Sequence, residues 1–452
     1  MNGNSAARVI VEGAGDQVVA HVGLHALASL ADRVGLGEAL STAFPRAAVH
    51  DRGTVLVHAM VMLAGGGEAC SDIERLRAQP ALFGGVASDS TLYRTVRSID
   101  AATLDDLRAA AAVVRRGVWE RSSATTGTAP VVLDLDASLV EVHSENEEGT
   151  AANYKHGFGF SPMFCFADAT GDALAARLRP GNATHNSIAD QLEVLDDAVA
   201  QLPAVIAVGH QRGDRRRRVR REVIVRADSA GGSRNLCAEF RARNVGFAVV
   251  ARSDAQVKAA ISVAVGDEWR WDPALTQAGG PRSGAAVAEL TDLVDLSGWP
   301  EGTRLIVRRE PLHPGAQTSL FPSLEFRYWG HYTDQDAAPV DSDVFMRAHA
   351  HVEDHIRRLK ASGLERFPFT NLDANKAWLF LVCLGADLVR WFQLLCLAGR
   401  LAKAEPKTLR WQLWHTPARV VRRSRRTIVR ILDGWPEATQ LQRAYERIAL
   451  IA

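Results

Sequence analysis

Two apolar segments of this chain end in aspartate. Val131-Val132-Leu133-Asp134-Leu135-Asp136 runs into Ala137-Ser138, and Val223-Ile224-Val225-Arg226-Ala227 runs into Asp228, with Gly231 and Gly232 just beyond. Both have the β-branched composition of buried strands, where an ionised carboxylate is costly unless compensated. At a strand's end, however, it can project into a cleft, and a metal ion offsets its desolvation. Asp134 and Asp136 share one face because strand side chains alternate. A third acid, Glu353, lies in a helical stretch over 349–360. There His349, Glu353 and Lys360 fall on one face, beside an apolar stripe of Val352, Ile356 and Leu359. Three convergent carboxylates suit two hard divalent cations, and a cation pair about 3.5–4 Å apart stabilises both the attacking and leaving oxygens of an in-line displacement at phosphorus. Water or a nucleic-acid 3′-hydroxyl then serves as nucleophile, and no protein nucleophile is needed.

The elements that must position these acids follow from the patterning. Residues 18–122 read as mostly helical, with a glycine break at Gly65-Gly66-Gly67 and an N-cap at Ser88 before a short helix carrying Tyr93, Arg94 and Arg97. Those three side chains suit either DNA contact or a solvated helix face. A Ser/Thr/Gly/Ala linker spans 122–130. Strands are expected at 131–136, 162–168 and 173–179, then a helix with Ile188, Leu192, Leu195, Val199 and Leu202 on one face. A strand at 223–225, a helix near 235–243 and a strand at 246–251 follow. Three strands, helix, strand, helix, strand is an α/β order of the ribonuclease-H-like kind. Residues 255–340, with Trp269, Trp271, Trp299 and Trp329, read as a β-rich insertion with strands at 305–308 and 324–329. Helices return over 344–401.

Composition narrows the class. Fifty-three basic residues nearly cancel 52 acidic ones, so attraction to polyanions must come from local clusters. Cys70, Cys165, Cys237, Cys383 and Cys396 form no C-x-x-C pair and read as reduced core residues. Arg8, Glu12 and Asp16 interrupt any export signal, and Asp387 and Arg390 break the apolar run over 378–397, which reads as a buried helix and not a membrane span. His143, His156, His185 and His210 form no ligand motif with the cysteines. Gly157-Phe158-Gly159 and Ala230-Gly231-Gly232-Ser233 lack the lysine of a phosphate loop, so ATP is not implied.

Taken together, Leu63-Ala64-Gly65-Gly66-Gly67-Glu68 with Asp72-Ile73 and Leu76, Ser88-Asp89-Ser90-Thr91-Leu92, Leu133 to Ser138, Arg226-Ala227-Asp228-Ser229, Arg366-Phe367-Pro368 with Ala374-Asn375, and Pro417 to Leu432 resemble transposases of the insertion sequence thirteen-eighty family. That family lies within the ribonuclease-H-like DDE superfamily, and the resemblance spans nearly the whole chain. It implies that Asp136, in Asp136-Ala137-Ser138, is the first catalytic and metal-binding acid, with Asp134 as runner-up, and that Asp228 and Glu353 are the second and third. In related transposases the glutamate sits in a signature of Tyr, two residues, Arg, three residues, Glu, six residues, Lys. Lys360 fits its last position, whereas Met346 and His349 replace the Tyr and the phosphate-contacting Arg, for which Arg347 or Arg357 substitutes.

The resemblance further implies Mg²⁺ or Mn²⁺ as cofactor, double-stranded DNA with terminal inverted repeats and target DNA as partners, a homodimer or higher oligomer on DNA, and a bacterial cytoplasmic, nucleoid-associated location with no membrane. DNA contacts are expected from Lys360, Arg357, Arg422, Arg423, Arg425 and Arg426, the last four on a basic helical tail with Arg419 and Arg430. The arginines over 215–221 suit a loop lining the DNA groove or a plain surface loop, and the insertion tryptophans suit core filling over base stacking. The expected organisation is an α/β ribonuclease-H-like core with a β-rich insertion. A helical DNA-binding region spans 1–122, the first part of the core 130–254, the insertion 255–340, the helical completion of the core 341–401 and a basic helical region 402–452. Two other readings stand beside this one: a non-catalytic DNA-binding derivative of a transposase, to which the departures at Met346 and His349 point, and a stand-alone nuclease of the same fold.

Overall fold

The computed structural model describes residues 18–44, 49–122, 129–142, 146–153, 155–184, 187–214, 219, 222–228, 232–312, 326–423 and 426–451. Its strands are β1 (Val18–Ala20), β2 (Val131–Ala137), β3 (Val140–Glu141), β4 (Ala151–Ala152), β5 (Phe158–Phe160), β6 (Met163–Ala167), β7 (Ala173–Arg177), β8 (Val223–Ala227), β9 (Val245–Ala251), β10 (Asp272–Leu275), β11 (Pro281–Glu289), β12 (Arg304–Pro311), β13 (Phe326–Thr333), β14 (Pro417–Arg423) and β15 (Arg426–Ile431). The fold is α/β, centred on a nine-stranded mixed sheet of order β10-β11-β12-β13-β9-β8-β2-β6-β7. In it β2, β8 and β9 run parallel to one another, while β6 and β7 return antiparallel as a meander from β2. This is the expected core order of three strands, helix, strand, helix, strand.

Alternation sends the two faces of β2 into different cores. Leu133 and Leu135 pack with the Ile188–Gln201, Arg234–Ala242 and Ala255–Ala264 helices. On the other face Phe164 and Phe166 of β6 join a core made by the N-terminal helices and the Leu372–Cys396 helix. The latter, 25 residues long, is the one described helix long and apolar enough to cross a membrane. It is mostly buried within the protein, as its Asp387 requires: Asp387 Oδ2 lies 2.7 Å from Arg115 Nη2 and its Oδ1 accepts a 2.7 Å bond from the Ala173 N–H.

Two sequence expectations need correction, and a third is refined. Residues 18–122 are helical, but their core is continuous with 352–451, because the Leu372–Cys396 helix fills the space between them. Residues 255–340 are rich in strand, as expected, and the structure adds where those strands go. After the Ala255–Ala264 helix they extend the main sheet, β13 pairing with β9, and its last helix already begins at Pro339. The basic tail is not a helix at 417–431: β14 and β15 form a hairpin, and a helix resumes only at Ala438–Leu450. The β-branched Val420, Val421, Ile428, Val429 and Ile431 favour pleated pairing over helix.

All five cysteines are free and buried. The small sheet β3-β5-β4 was not foreseen; its strands of two or three residues are too short to leave a periodic signal.

Candidate active site

Parallel pairing of β2 with β8 sets the geometry. Asp134 stands beside Arg226 and Leu135 beside Ala227, so Asp136 and Asp228 are the next residues of two adjacent strands, at the ends where α/β sheets bind ligands. The antiparallel partner β6 places Phe164 opposite Asp136 and Phe166 opposite Asp134. Above them lies the His351–Leu359 helix, which buries Val352, Ile356 and Leu359 and stacks His355 on Phe166 at 5.2 Å between ring centroids. Glu353 sits in its first turn, exposed, where a negative charge is favoured by the helix dipole.

Strand pairing makes Asp136 and Asp228 neighbours. Burial pushes the Asp136 carboxyl up to about 6, and the negative charges of Asp228 and Glu353 push in the same direction. The Ala137 N–H, which donates to Asp136 Oδ1 at 2.7 Å, and the nearby His349 oppose that rise. Glu353 thus lies within electrostatic reach of Asp136. Among the described residues, no three Asp, Glu, His or Cys side chains are drawn tightly enough to hold a metal ion as they stand. The donor set, carboxylate oxygens on adjacent strand ends and a facing helix, suits a hard divalent cation.

Asp134, on the same face as Asp136, does something different. It is fully buried, and its carboxylate takes a two-pronged contact from Arg226: Nε to Oδ1 at 2.8 Å and Nη2 to Oδ2 at 2.7 Å. His349 Nδ1 lies 2.8 Å from the same Oδ1. Burial would raise Asp134, but the bonds to His349 and Arg226 outweigh it and hold the carboxyl below its ordinary value. Arg226 in turn reaches Asp168 Oδ1 at 2.9 Å and the Phe345 carbonyl at 2.9 Å, and its guanidinium lies over the Phe345 ring. Burial opposes its charge, yet Asp134 and then Asp168 hold it above its ordinary value. Asp168 Oδ1 also meets His351 Nδ1 at 2.8 Å. A chain of ion pairs and histidine contacts therefore ties β2, β8 and the residue after β6 to both ends of the 349–351 turn that leads into Glu353.

The sequence reading passed over Arg226, Asp168 and His351. The available signal was Arg226 itself, a lone arginine inside an apolar strand, which must find a carboxylate when buried. The two departures from the family signature also have internal positions: Met346 is buried, and His349 points at Asp134.

The other expected DNA contacts are scattered. Lys360 caps the C-terminal end of the Glu353 helix, about 10 Å along its axis from Glu353. Arg357 pairs with Glu405 at 2.6 Å and with Asp354; Arg347 pairs with Asp343 at 2.8 Å and donates to the Leu275 carbonyl. Tyr93 stacks on Phe369, and the Arg97 guanidinium lies 5.7 Å from the Tyr93 ring. Arg422 and Arg423 are exposed on β14, and Arg426 opens β15. Arg425, the arginines 215–218, 220 and 221, His143, His185 and the Ser229-Ala230-Gly231 part of the turn after Asp228 lie outside the described residues. Of the insertion tryptophans, Trp271 is buried and Trp299 packs on Tyr332, whereas Trp269 is fully exposed.

The mixed sheet thus carries Asp136 and Asp228 at two neighbouring strand ends, and the helix bearing Glu353 packs on the same face. The chain belongs to the family described as transposase DDE domain group 1, which it matches over residues 2–452. Among solved structures it is similar to a piggyBac transposase synaptic complex with hairpin DNA, at 10% identity and a TM-score of 0.41, covering 86% of this chain and 79% of that one. No curated protein matches it.

Proposed function

We propose that this protein is a DNA transposase of the insertion sequence thirteen-eighty type, which binds the inverted-repeat ends of a mobile element and catalyses metal-dependent cleavage and strand transfer. The observation that carries the proposal is the parallel pairing of β2 with β8, which sets Asp136 and Asp228 at adjacent strand ends; Glu353, on the helix that follows the 349–351 turn, is the third acid of this reading. These carboxylates would hold two divalent cations, Mg²⁺ or Mn²⁺. Bound there, the cations would supply charge neutralisation at the scissile phosphate and activation of a water or 3′-hydroxyl.

The protein's own residues position and tune this site. The strand ends set the separation of Asp136 and Asp228. The Asp134–Arg226–Asp168 chain fixes the depth at which the Glu353 helix settles on the sheet, and Lys360 supplies a cation for the DNA backbone on the same helix. Arg357 offers a second cation beside it, once released from Glu405 and Asp354 by competing phosphate. Action on paired ends calls for a homodimer or higher oligomer in the bacterial cytoplasm.

The non-catalytic alternative drew on Met346 and His349, and the internal partners of both weaken it. The test is cleavage of a duplex carrying the terminal repeats that flank the gene, with Mg²⁺, by Asp136→Asn, Asp228→Asn and Glu353→Gln. Each substitution is expected to abolish cutting while leaving end binding in place. Normal cutting by any one variant would remove that residue from the site. Cutting without strand-transfer products would favour the nuclease reading.

A further inference from the structure

The β14–β15 hairpin carries a charge pattern that the fold does not use. Five of the thirteen residues in its two strands are arginine and none is acidic. Register places Arg419 directly opposite Arg430, and Arg423 opposite Arg426, with Val421 opposite Ile428 between them. Alternation puts Arg419, Val421 and Arg423 of β14 and Ile428 and Arg430 of β15 on one face. The opposite face buries Ala418 and Val420 and rests Val429 and Ile431 on the main core, while β1 pairs with β14 from Val18 to Ala20. The ribbon is therefore firmly rooted, and its outer face is arginine, apolar, arginine.

Like charges directly opposite each other weaken a strand pair. Arg419 and Arg430 form such a pair, and among the described residues no carboxylate lies within ion-pair distance of Arg419, Arg422, Arg423 or Arg430. Elsewhere the molecule routinely matches its arginines: Arg226, Arg243, Arg270, Arg304 and Arg309 all face acids. A ribbon left with unmatched, mutually repelling cations on its exposed face is built for an external polyanion. The spacing favours a particular one. Arg419 and Arg423 are four residues apart on the same face, about 14 Å along an extended strand, close to the roughly 12 Å width of the B-DNA major groove, which admits a two-stranded ribbon.

We infer that the paired strands β14 and β15 are a DNA-gripping arm that lies in the major groove of duplex DNA, with Arg419 and Arg430 on the phosphates at one edge of the groove, Arg423 on those at the other, and Val421 and Ile428 over the base edges. This deepens the transposase reading and rests on it for the nature of the polyanion, but it concerns a surface separate from the carboxylates. Arg422, on the other face near the tip, adds a further phosphate contact. A ribbon already folded and anchored loses little conformational entropy on docking.

The test measures binding of a labelled mixed-sequence duplex in EDTA, so that cleavage plays no part, across a range of salt concentrations. For Arg419→Gln/Arg423→Gln the slope of log affinity against log salt is expected to become shallower by about 0.9 for each arginine lost, with affinity falling at every salt concentration. The Lys/Lys pair of substitutions is expected to keep the slope. Thermal unfolding of the Gln pair should be unchanged or higher, because repulsion is relieved, whereas a purely structural role would lower it. Methyl green, which occupies the major groove, should displace the wild-type protein, and a minor-groove ligand should not. Unchanged affinity and slope in the Gln pair, displacement only by the minor-groove ligand, or a loss confined to anionic phosphatidylserine vesicles would each overturn the inference. Because Asp136→Asn is judged by cutting and the ribbon by binding without metal, either claim can fail while the other stands.

Discussion

Asp134→Asn probes the ion chain that seats the Glu353 helix. In the wild-type protein the Arg226 guanidinium is almost wholly buried and meets both oxygens of an equally buried Asp134, at 2.8 and 2.7 Å. Hydrogen bonds to charged groups are each worth about 1.5–3 kcal/mol, and breaking a buried ion pair by removing one partner costs about 3–5 kcal/mol. Arg226 would keep Asp168, which is partly exposed, and the Phe345 carbonyl, so the cost should fall at the lower end, about 3 kcal/mol. Arg226→Met leaves Asp134 with His349 alone and should cost a similar amount. The double variant removes both buried charges and should be less destabilised than the sum of the two, with a coupling of about 2 kcal/mol or more. Urea unfolding followed by tryptophan fluorescence measures all four proteins, since the buried Trp119, Trp378, Trp391 and Trp414 report on the core next to this network. A single-variant cost below about 1 kcal/mol, or strict additivity in the double variant, would refute the claim that these residues act as one buried unit.

Further expectations concern other parts of the molecule. His331, buried in β13 with its Nε2 2.8 Å from Ser342 Oγ, is pushed by burial down to about 4 from an ordinary 6.5. The unfolded chain therefore takes up a proton that the folded one refuses: the stability is complete above pH 6.5 and is lost as pH falls towards 4, by roughly 3 kcal/mol in all. His331→Gln should flatten that part of the urea-midpoint profile, and an unchanged profile would count against the assignment. At Gly53 a Cβ would stand 2.1 Å from the Gly37 carbonyl oxygen and 2.6 Å from the Ser41 backbone nitrogen. Gly53→Ala should thus force the Leu36–Ser41 and Arg52–Ala64 helices apart and cost about 1–3 kcal/mol or more, read as a lower urea midpoint. Asp51 Oδ1 caps the latter helix by accepting from the Thr54 N–H at 2.8 Å, and also accepts from the Ser41 and Thr54 hydroxyls. Asp51→Ala should cost about 1 kcal/mol in the same measurement.

The legible parts of the fold were those with local causes. Val131 to Asp136 and Val223 to Asp228 announce themselves because an acid after an apolar run is conspicuous, and the Ile188–Gln201 helix because its apolar residues recur every three or four positions. What escaped depends on contacts between distant residues. Asp134 and Asp136 share a face and differ only in what the fold brings to them: Arg226, 92 positions away, for one, and the charges of Asp228 and Glu353 for the other. The separate N-terminal region expected from the linker at 122–130 dissolves once Arg115 and Trp119 are found reaching Asp387 and Asp172. The arginine-rich tail was read by its charge, and charge concealed the valines and isoleucines that decide between helix and strand.

The Leu372–Cys396 helix has a consequence for how the protein is made. The helices of the first 121 residues and the Phe164/Phe166 face of the sheet both bury their apolar sides against it, yet it is synthesised after more than four-fifths of the chain. On the ribosome, those surfaces must wait uncovered until the helix emerges, at synthesis rates of roughly 5–20 residues per second. A nascent chain stalled before Leu372 would present chaperones and proteases with a wide greasy surface, so incomplete copies of this protein should be cleared or aggregate and should not persist as partly working fragments.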